Sequence, residues 1–581
     1  MSTATVEENG NDKTVEDREG PAKPKRENET TYLFSGAIAE AKQRFPYYKS
    51  DFTDVLEYRC GASIIFMFLC CIAPTITFGG LMGKYTDEVM GTTETLLAQS
   101  MCGLIWGLFS CQPIIIQSIT GPVLIFEASL YRLCKSLELD LLTVRVIAGW
   151  WMCLICFATV ALNGSRLSSY VTRFTDEIFA VLISGIFIFE SLNFVRKTND
   201  ENPVEDYNFY WQEHLNCNAS VSMRPCHNSE PNTTLLTGII MFTTFATAYT
   251  LYNIQRSNWF GKHIRNVFGD FGVFIAISVV AGLTYLLFPD PILARLEMPV
   301  HLNFTNLQKR GHGVFIVPDF SDSRIGLSTV IAAFAALLVF ILIFVETEIT
   351  ELLLGRKERG LVKGGGLNWD MCLTGVCNLL CSILGLPWMC AGAVQSLAHC
   401  SSLTLHRKDK INPKAVVVDR VLEQRVTTIA VSLCIGAFAF LGSYLRLPMA
   451  SLFGVFLYLG VMNLHGIQLV RRTLLFLVPV KYHPSVVYTK SIGVGRMRLY
   501  TWIQLALVVV IMIVKQIQLI ALAFPFVLIL FVIFRYTLIP LIFTKEELES
   551  LDNEHEDIRE SASEDTFNCQ TDVYAAAHNI A

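Results

Sequence analysis

Apolar runs of roughly 18–25 residues recur along the chain, separated by polar stretches that carry nearly all of its charge. They include "CGASIIFMFLCCIAPTITFGGLM", "VIAGWWMCLICFATVAL", "IFAVLISGIFIF", "GLSTVIAAFAALLVFILIFV", "VTTIAVSLCIGAFAFLG" and "IALAFPFVLILFVIF". Runs of this length match the hydrocarbon thickness that a helix must cross. The pattern predicts an all-α polytopic membrane protein with about fourteen hydrophobic segments, several of them short or broken.

Two of the segments contradict a simple helix. "CQPIIIQSITGPVLIFEASL", residues 111–130, is apolar enough for lipid yet carries Gln112, Pro113, Gln117, Thr120, Gly121, Pro122 and Glu127. Backbone that leaves helix geometry inside a bilayer must be shielded by protein or line a wet cavity. Pro113 followed by three isoleucines favours extended chain. Thr120-Gly121-Pro122 then reads as a helix start, with Thr120 at the N-cap and Pro122 near the first helical position. "LGLPWMCAGAVQSLAHCSSL", residues 384–403, repeats the design: Pro387-Trp388 breaks the chain and a helix starts near Gly392 or Ala393. The breaks fall in the third and tenth segments, the same place in two halves of about seven, as an inverted repeat requires. Two helix N-termini meeting at mid-membrane would offer free N–H groups and two positive dipole ends to an anion. The alternative for either segment alone is a proline-kinked packing helix.

Composition supports the same class: 52% of the residues are hydrophobic and 17% charged. The net charge of −5 says little, because the charge lies in loops and tails. Residues 1–50 are expected to be a short cytoplasmic segment, largely disordered and without a secretory signal, and 545–581 an acidic cytoplasmic tail; 51–544 form the membrane domain. Basic clusters at 356–363, 406–425 and 471–498 fall on one side of the membrane when fourteen spans are threaded from a cytoplasmic N-terminus. The loop near 196–234 then lies outside, with sequons at Asn218 and Asn232 and two cysteines, Cys217 and Cys226, able to pair there. Asn303 lies in another outer loop, whereas the sequon at Asn163 falls inside and should stay unmodified. Most of the 17 cysteines lie in apolar runs as packing residues, and no spacing indicates a metal site.

Glu346, in "FILIFVETEIT", ends a nearly unbroken apolar run. A carboxylate there is costly unless paired, wet or protonated, which makes it a functional candidate; the alternative places it at the inner interface. Thr350 is one turn on, close enough to share a ligand. Asp270, Glu127 and Glu190 are weaker cases of the same kind. Lys84 and Lys515 fit interfacial anchors. His399 is alone in its segment and reads as a bonded packing residue.

"PTITFGGLMG", "QPIIIQSITGPVLIFEASL", "TDEIFAVLISGIFIFES", "NVFGDFGV", "VFILIFVETEIT", "LGLPWM", "LFGVFLYLGV" and "KYHPSVVYTK" resemble, in order from about residue 35 to 548, the membrane domain of the bicarbonate transporter (anion exchanger) family. The resemblance implies fourteen spans in two inverted seven-span repeats. A core domain of spans 1–4 and 8–11 moves against a gate domain of spans 5–7 and 12–14, through which homodimers form. The large cytoplasmic N-terminal domain of animal members is expected to be absent, with only about fifty residues before the first span. By this resemblance Gln112, Ile119, Thr120, Gly121, Phe179, Gly392, Ala393, Val394 and Gln395 surround the substrate, with Glu346 and Thr350 beside them. Glu346 stands where sodium-independent exchangers carry glutamate and sodium-coupled transporters aspartate. Gln395 replaces the exchangers' arginine, and Gly392 and Ala393 replace two threonines, which leaves helix ends as the main attraction for an anion. Tyr85, with Lys84 beside it, replaces the lysine that stilbene inhibitors modify, and Lys481 matches a lysine of the family's "KYHP" segment. The tail motif "LDNEHED" is similar to the stretch proposed to bind carbonic anhydrase.

The expected function is chloride/bicarbonate exchange by alternating access at the plasma membrane, with both termini cytoplasmic. Sodium-coupled bicarbonate cotransport is the alternative, favoured by Gln395 and opposed by Glu346. Borate, proton or hydroxide transport, a transport-dead scaffold and an intramembrane enzyme are the remaining readings; the last lacks a catalytic constellation. No cofactor, metal or nucleic-acid partner is expected.

Overall fold

In the computed structural model, residues 32–551 are described, apart from 205–230 and shorter stretches of eight residues or fewer. The apolar runs are helices. In chain order the longer elements are α1 (Ser35–Arg44), α2 (Tyr58–Tyr85), α3 (Thr92–Phe109), strand β1 (Gln117–Ser118), α4 (Gly121–Ser136), α5 (Leu141–Ala161), α6 (Arg173–Glu201), α7 (Pro231–Arg256) and α8 (Gly272–Leu287). There follow α9 (Ile325–Leu354), α10 (Leu367–Ile383), β2 (Cys390–Ala391), α11 (Ala393–Leu403), the hairpin strands β3 (Thr404–Lys408) and β4 (Val416–Val421), and α12 (Val426–Ala439). Then come α13 (Met449–His465), α14 (Gln468–Leu474), α15 (Val494–Gln516), α16 (Phe524–Thr537) and α17 (Lys545–Leu551).

Packing sorts these helices into two groups. In one, α5 lies against α9 and α10, α3 against α12, and α2 against α3, α11 and α12. In the other, α13 lies against α6 and α7, α8 against α7, and α15 against α6. The groups meet where α4 approaches α6 and where α2 touches α13. Close crossings use small residues, as bilayer interiors favour. A Cβ on Gly454 of α13 would lie 2.5 Å from the Met241 carbonyl oxygen of α7. Outward faces are apolar: Trp150, Leu154, Ile239, Phe242, Val330 and Leu286 are exposed where a bilayer would cover them.

Among the described residues, six helices are long and apolar enough to span a bilayer, or seven if α13 and α14, bent by 77°, form one span. Three shorter apolar helices, Gly272–Leu287, Val426–Ala439 and Ile529–Ile542, accompany them. The sequence count of about fourteen segments also includes the two broken segments and the shorter apolar helices. The chain turns at Pro113–Ile114 before β1 and runs without helix from Pro387 into β2, and the helices that follow have only 16 and 11 residues.

The amino-terminal expectation changes. Residues 32–54 are folded, with α1 against α10 and α5 and with Arg44 and Asp51 against Lys363, Glu423 and Arg425. Arg44 pairs bidentately with Asp51 at 2.9 and 3.0 Å and reaches Glu423 at 3.2 Å. Asp51, fully buried, also receives Arg425 at 3.0 Å and Lys363 at 2.9 Å. Glu40 accepts the backbone N–H groups of Asn368 and Trp369 at the start of α10, where the helix dipole favours a carboxylate. Its burial there raises the carboxyl above the ordinary range, against the lowering effect of those hydrogen bonds. The acidic tail likewise begins as a helix, with Leu548 and Leu551 buried; the "LDNEHED" motif at 551–557 lies, beyond Leu551, outside the described residues.

Candidate anion site between two half-helices

The two broken segments meet. β1 and β2 pair antiparallel, Gln117 opposite Ala391 and Ser118 opposite Cys390. The Gly392 N–H donates to the Ile116 carbonyl at 2.9 Å, and Ser396 Oγ accepts the Ile116 N–H at 3.0 Å. Each strand so satisfies the other's backbone, which is how extended chain survives inside a membrane protein. α4 starts at Gly121 and α11 at Ala393, and neither N-cap residue, Thr120 or Gly392, makes a side-chain cap hydrogen bond. Both helix starts therefore leave first-turn N–H groups to an outside acceptor.

Thr120 occupies the N-cap position that the sequence suggests, but its hydroxyl serves a different partner. It donates to Glu346 Oε2 at 2.7 Å. Cys390 Sγ donates to the same oxygen at 2.7 Å and lies 3.3 Å from Thr120 Oγ1. One atom of Glu346 thus ties α9 to both crossing segments. Cys390 escapes sequence reasoning because a cysteine in an apolar run reads as packing; only the register of the strand pair turns it toward the carboxylate.

The remaining candidates divide. Ile119 is buried beside Thr120, and Phe179 is partly buried against the core. Gly121 is a point of close approach: a Cβ there would collide with the Phe187 ring of α6. Gly392 and Ala393 form the α11 start, Val394 is exposed, and the Gln395 amide oxygen folds back toward Gly392. The Thr350 hydroxyl is bonded to backbone rather than to the Glu346 carboxylate. It donates to the Glu346 carbonyl at 2.7 Å and to the Ala391 carbonyl at a longer 3.4 Å. Gln112 stands at the entry of the strand rather than at the helix junction. Its backbone N–H donates to Asp370 Oδ2 at 2.9 Å and its side-chain amide to the Gly364 carbonyl at 3.4 Å. Asp370 also accepts the Cys111 N–H at 2.6 Å, a positioning role with no signal in the sequence.

Several weaker candidates are structural. Glu127 is buried in a bidentate pair with Arg145, which also donates to the Leu386 carbonyl and stacks 4.5 Å from the Trp388 ring. Glu190 accepts the Tyr85 hydroxyl at 2.9 Å, and Lys84 sits 4.2 Å over the Phe194 ring. His399 is buried between the Ile114 carbonyl and the Thr427 hydroxyl, each at 2.7 Å, so it packs as a bonded residue. Asn163 accepts the Gly36 N–H at 2.9 Å and donates to Ser35, which occupies the side chain a glycan would need. Asn232 is exposed at the start of α7, while Cys217, Asn218, Cys226, Asp270 and Asn303 lie outside the described residues.

The Gly121 contact makes a direct prediction. Gly121→Ala should cost about 1–3 kcal/mol by overpacking against Phe187. Because that ring belongs to the other helix group, transport should fall further than the amount of folded protein at the cell surface. Surface biotinylation alongside flux measurement checks this; parallel losses would mean simple misfolding.

Two discontinuous helices that start side by side from paired strands, backed by a carboxylate in an apolar helix, are the arrangement by which helical membrane transporters hold an ion or small anion. Residues 32–224 and 208–556 match the HCO3- transporter integral membrane domain, and the chain belongs to that family. It is 37% identical over 537 residues to anion exchange protein 3 of Rattus norvegicus, covering 90% of this chain and 43% of that protein. It is 38% identical over 527 residues to anion exchange protein 3 of Danio rerio, covering 89% and 44%. The chain thus spans less than half the length of these curated relatives. Among solved structures, the fold is similar to that of the murine solute carrier 26 family member A9 anion transporter in its inward-facing state. There the TM-score is 0.52 at 13% identity, over 93% of this chain and 77% of that one.

Proposed function

We propose that this chain is a secondary transporter of inorganic anions at the plasma membrane that exchanges chloride for bicarbonate by alternating access. It is a carrier and not an enzyme. The observation that carries the reading is the pair of uncapped half-helix starts, Gly121 and Ala393, held together by β1–β2 with Glu346 bonded between them. First-turn N–H groups and two dipole ends supply partial positive charge to an anion without a fixed cation. Gln395 in place of an arginine keeps that attraction weak, which suits a site that must release as readily as it binds. The fold follows the fourteen-span inverted-repeat plan, with α2–α5 and α9–α12 as the moving core and α6–α8 with α13–α16 as the gate. Homodimers form through the gate, where α6 and α7 present an outward apolar groove lined by Val195, Leu235, Ile239 and Phe242. Both termini are cytoplasmic, the loop carrying Asn218 and Asn232 is outside and glycosylated, as is Asn303, and Cys217 pairs with Cys226. The acidic tail offers a site for carbonic anhydrase.

The test is intracellular pH in expressing cells in CO₂/bicarbonate buffer, with external chloride and sodium removed in turn. Chloride removal should alkalinise the cell and sodium removal should change nothing. Recovery from acid that needs sodium and ignores chloride would replace exchange by cotransport. In the same assay Glu346→Ala, which removes the acceptor of Thr120 and Cys390, should lower flux about 10- to 100-fold, the equivalent of a lost charge-assisted hydrogen bond. Unchanged flux in that variant would remove Glu346 from the site.

A further inference from the structure

Further along α9, beyond Glu346, a second carboxyl is buried where no anion would be drawn. Glu351 is 6% exposed, and its Oε1 accepts no hydrogen bond among the described residues. Its Oε2 meets the Gly366 N–H only at a long 3.4 Å. The carboxyl it touches is that of Asp370 on α10, itself fully buried. Asp370 already spends both oxygens as acceptors, Oδ1 on the Cys111 N–H and Oδ2 on the Gln112 N–H. A buried carboxyl with an oxygen that receives no donor, in contact with an acceptor-only group, needs a proton of its own to make the contact favourable. Two bare carboxylates touching in a dry interior would repel strongly.

We propose that Glu351 and Asp370 form a proton-binding site, with the proton on Glu351 and donated to Asp370. The surroundings favour this placement. Glu348 on α9 and Glu40 on α1 add negative charge that opposes a second ionisation. The two backbone N–H donors of Cys111 and Gln112 favour charge on Asp370 rather than on Glu351. The consequence reaches the anion site through one stretch of chain. Asp370 holds residues 111–112, which lead through β1 to Thr120. When the proton leaves to solvent buffer, Glu351 becomes a second carboxylate and pushes on the group that anchors this strand. Protonation keeps the half-helix junction assembled, and deprotonation loosens it.

The inference rests on the transport reading, and the experiment separates the two. Bicarbonate-independent anion flux, read as radiolabelled chloride exchange, is measured for the wild type and Glu351→Gln across mildly acidic to alkaline pH. The amide introduced by this substitution keeps a donor toward Asp370 and cannot titrate. Wild-type flux should fall about tenfold per pH unit above the midpoint of one titrating proton, while E351Q should stay within about twofold over the same range. A profile in E351Q that superimposes on the wild type overturns the proton site and leaves the transport reading intact. No chloride flux in either protein at any pH overturns the transport reading instead. Should E351Q fail to reach the surface, Glu351→Ser retains a hydroxyl donor and is read in the same way. Loss of a sodium dependence in either variant would mean that the pair holds a metal cation, and also overturns the proposal.

Discussion

Replacing Asp51 with alanine is expected to cost about 3–5 kcal/mol, the penalty for leaving buried charge without its partner. The carboxylate is fully buried and faces three cations: Arg44, Lys363 and Arg425. Arg425 in turn donates to the carbonyls of Gly107 and Ser110 at 3.1 and 2.7 Å, where α3 ends and the first broken segment begins. Without Asp51, this cation loses its counter-charge at the place where it supplies hydrogen bonds to a helix terminus, whose partial negative charge it complements. Since native stability is typically about 5–15 kcal/mol, most of the protein should fail to reach the surface. Asp51→Asn, which keeps acceptor and donor groups but not the charge, should fall between. Thermal unfolding of detergent-purified protein and surface abundance measure both. A Tm within a few degrees of wild type for D51A would show that the network is wet and worth little.

Breaking the Glu127–Arg145 pair from either side is expected to be as damaging, and the double replacement should be milder than either single one. Both side chains are fully buried, and Arg145 holds both carboxylate oxygens of Glu127 and also donates to the Leu386 carbonyl. Glu127→Ala strands a guanidinium between α4, α5 and the Pro387 break, while Arg145→Ala strands a carboxylate. Each should cost about 3–5 kcal/mol. Glu127→Met combined with Arg145→Met removes both charges and fills similar volume, so folding should largely return. Transport need not return with it, because Arg145 also fixes the chain just before β2. Surface expression of the two single variants and the double variant decides the matter. A double variant no better than the singles would mean that the bond to Leu386, rather than the ion pair, holds the break in place.

The helix breaks were legible because proline, glycine and β-branched residues act locally. Pro113 and Pro387 remove donors and fix φ, so neither segment continues as helix there; the chain turns at 113–114 and is extended by 117–118 and 390–391. The starts of α4 and α11 fall at Gly121 and Ala393, next to the residues that punctuation alone singled out. Glu346 was visible because ionisable groups are rare in apolar runs. What each polar group does was not visible. Thr120 has the sequence of a cap and the bond of a ligand-site residue; Thr350 looks like a partner of the Glu346 carboxylate and bonds backbone instead. Glu127 carries the same signal as Glu346, an acid in an apolar run, and is an ion pair with a residue on the next helix.

That this chain belongs in a membrane, where its helices start and stop, and which two segments cannot be continuous spans are all written locally. Those properties depend on neighbours a few residues apart and on the bilayer as solvent. The pairing of residues 117–118 with 390–391, the reach of Cys390 to Glu346, the anchoring of 111–112 by Asp370 and the closure of residues 32–54 over the core are not. Most of these contacts join positions far apart along the chain, and in each a buried polar group takes the partner that geometry brings within reach. Burial makes such partners obligatory; only the assembled fold says which they are.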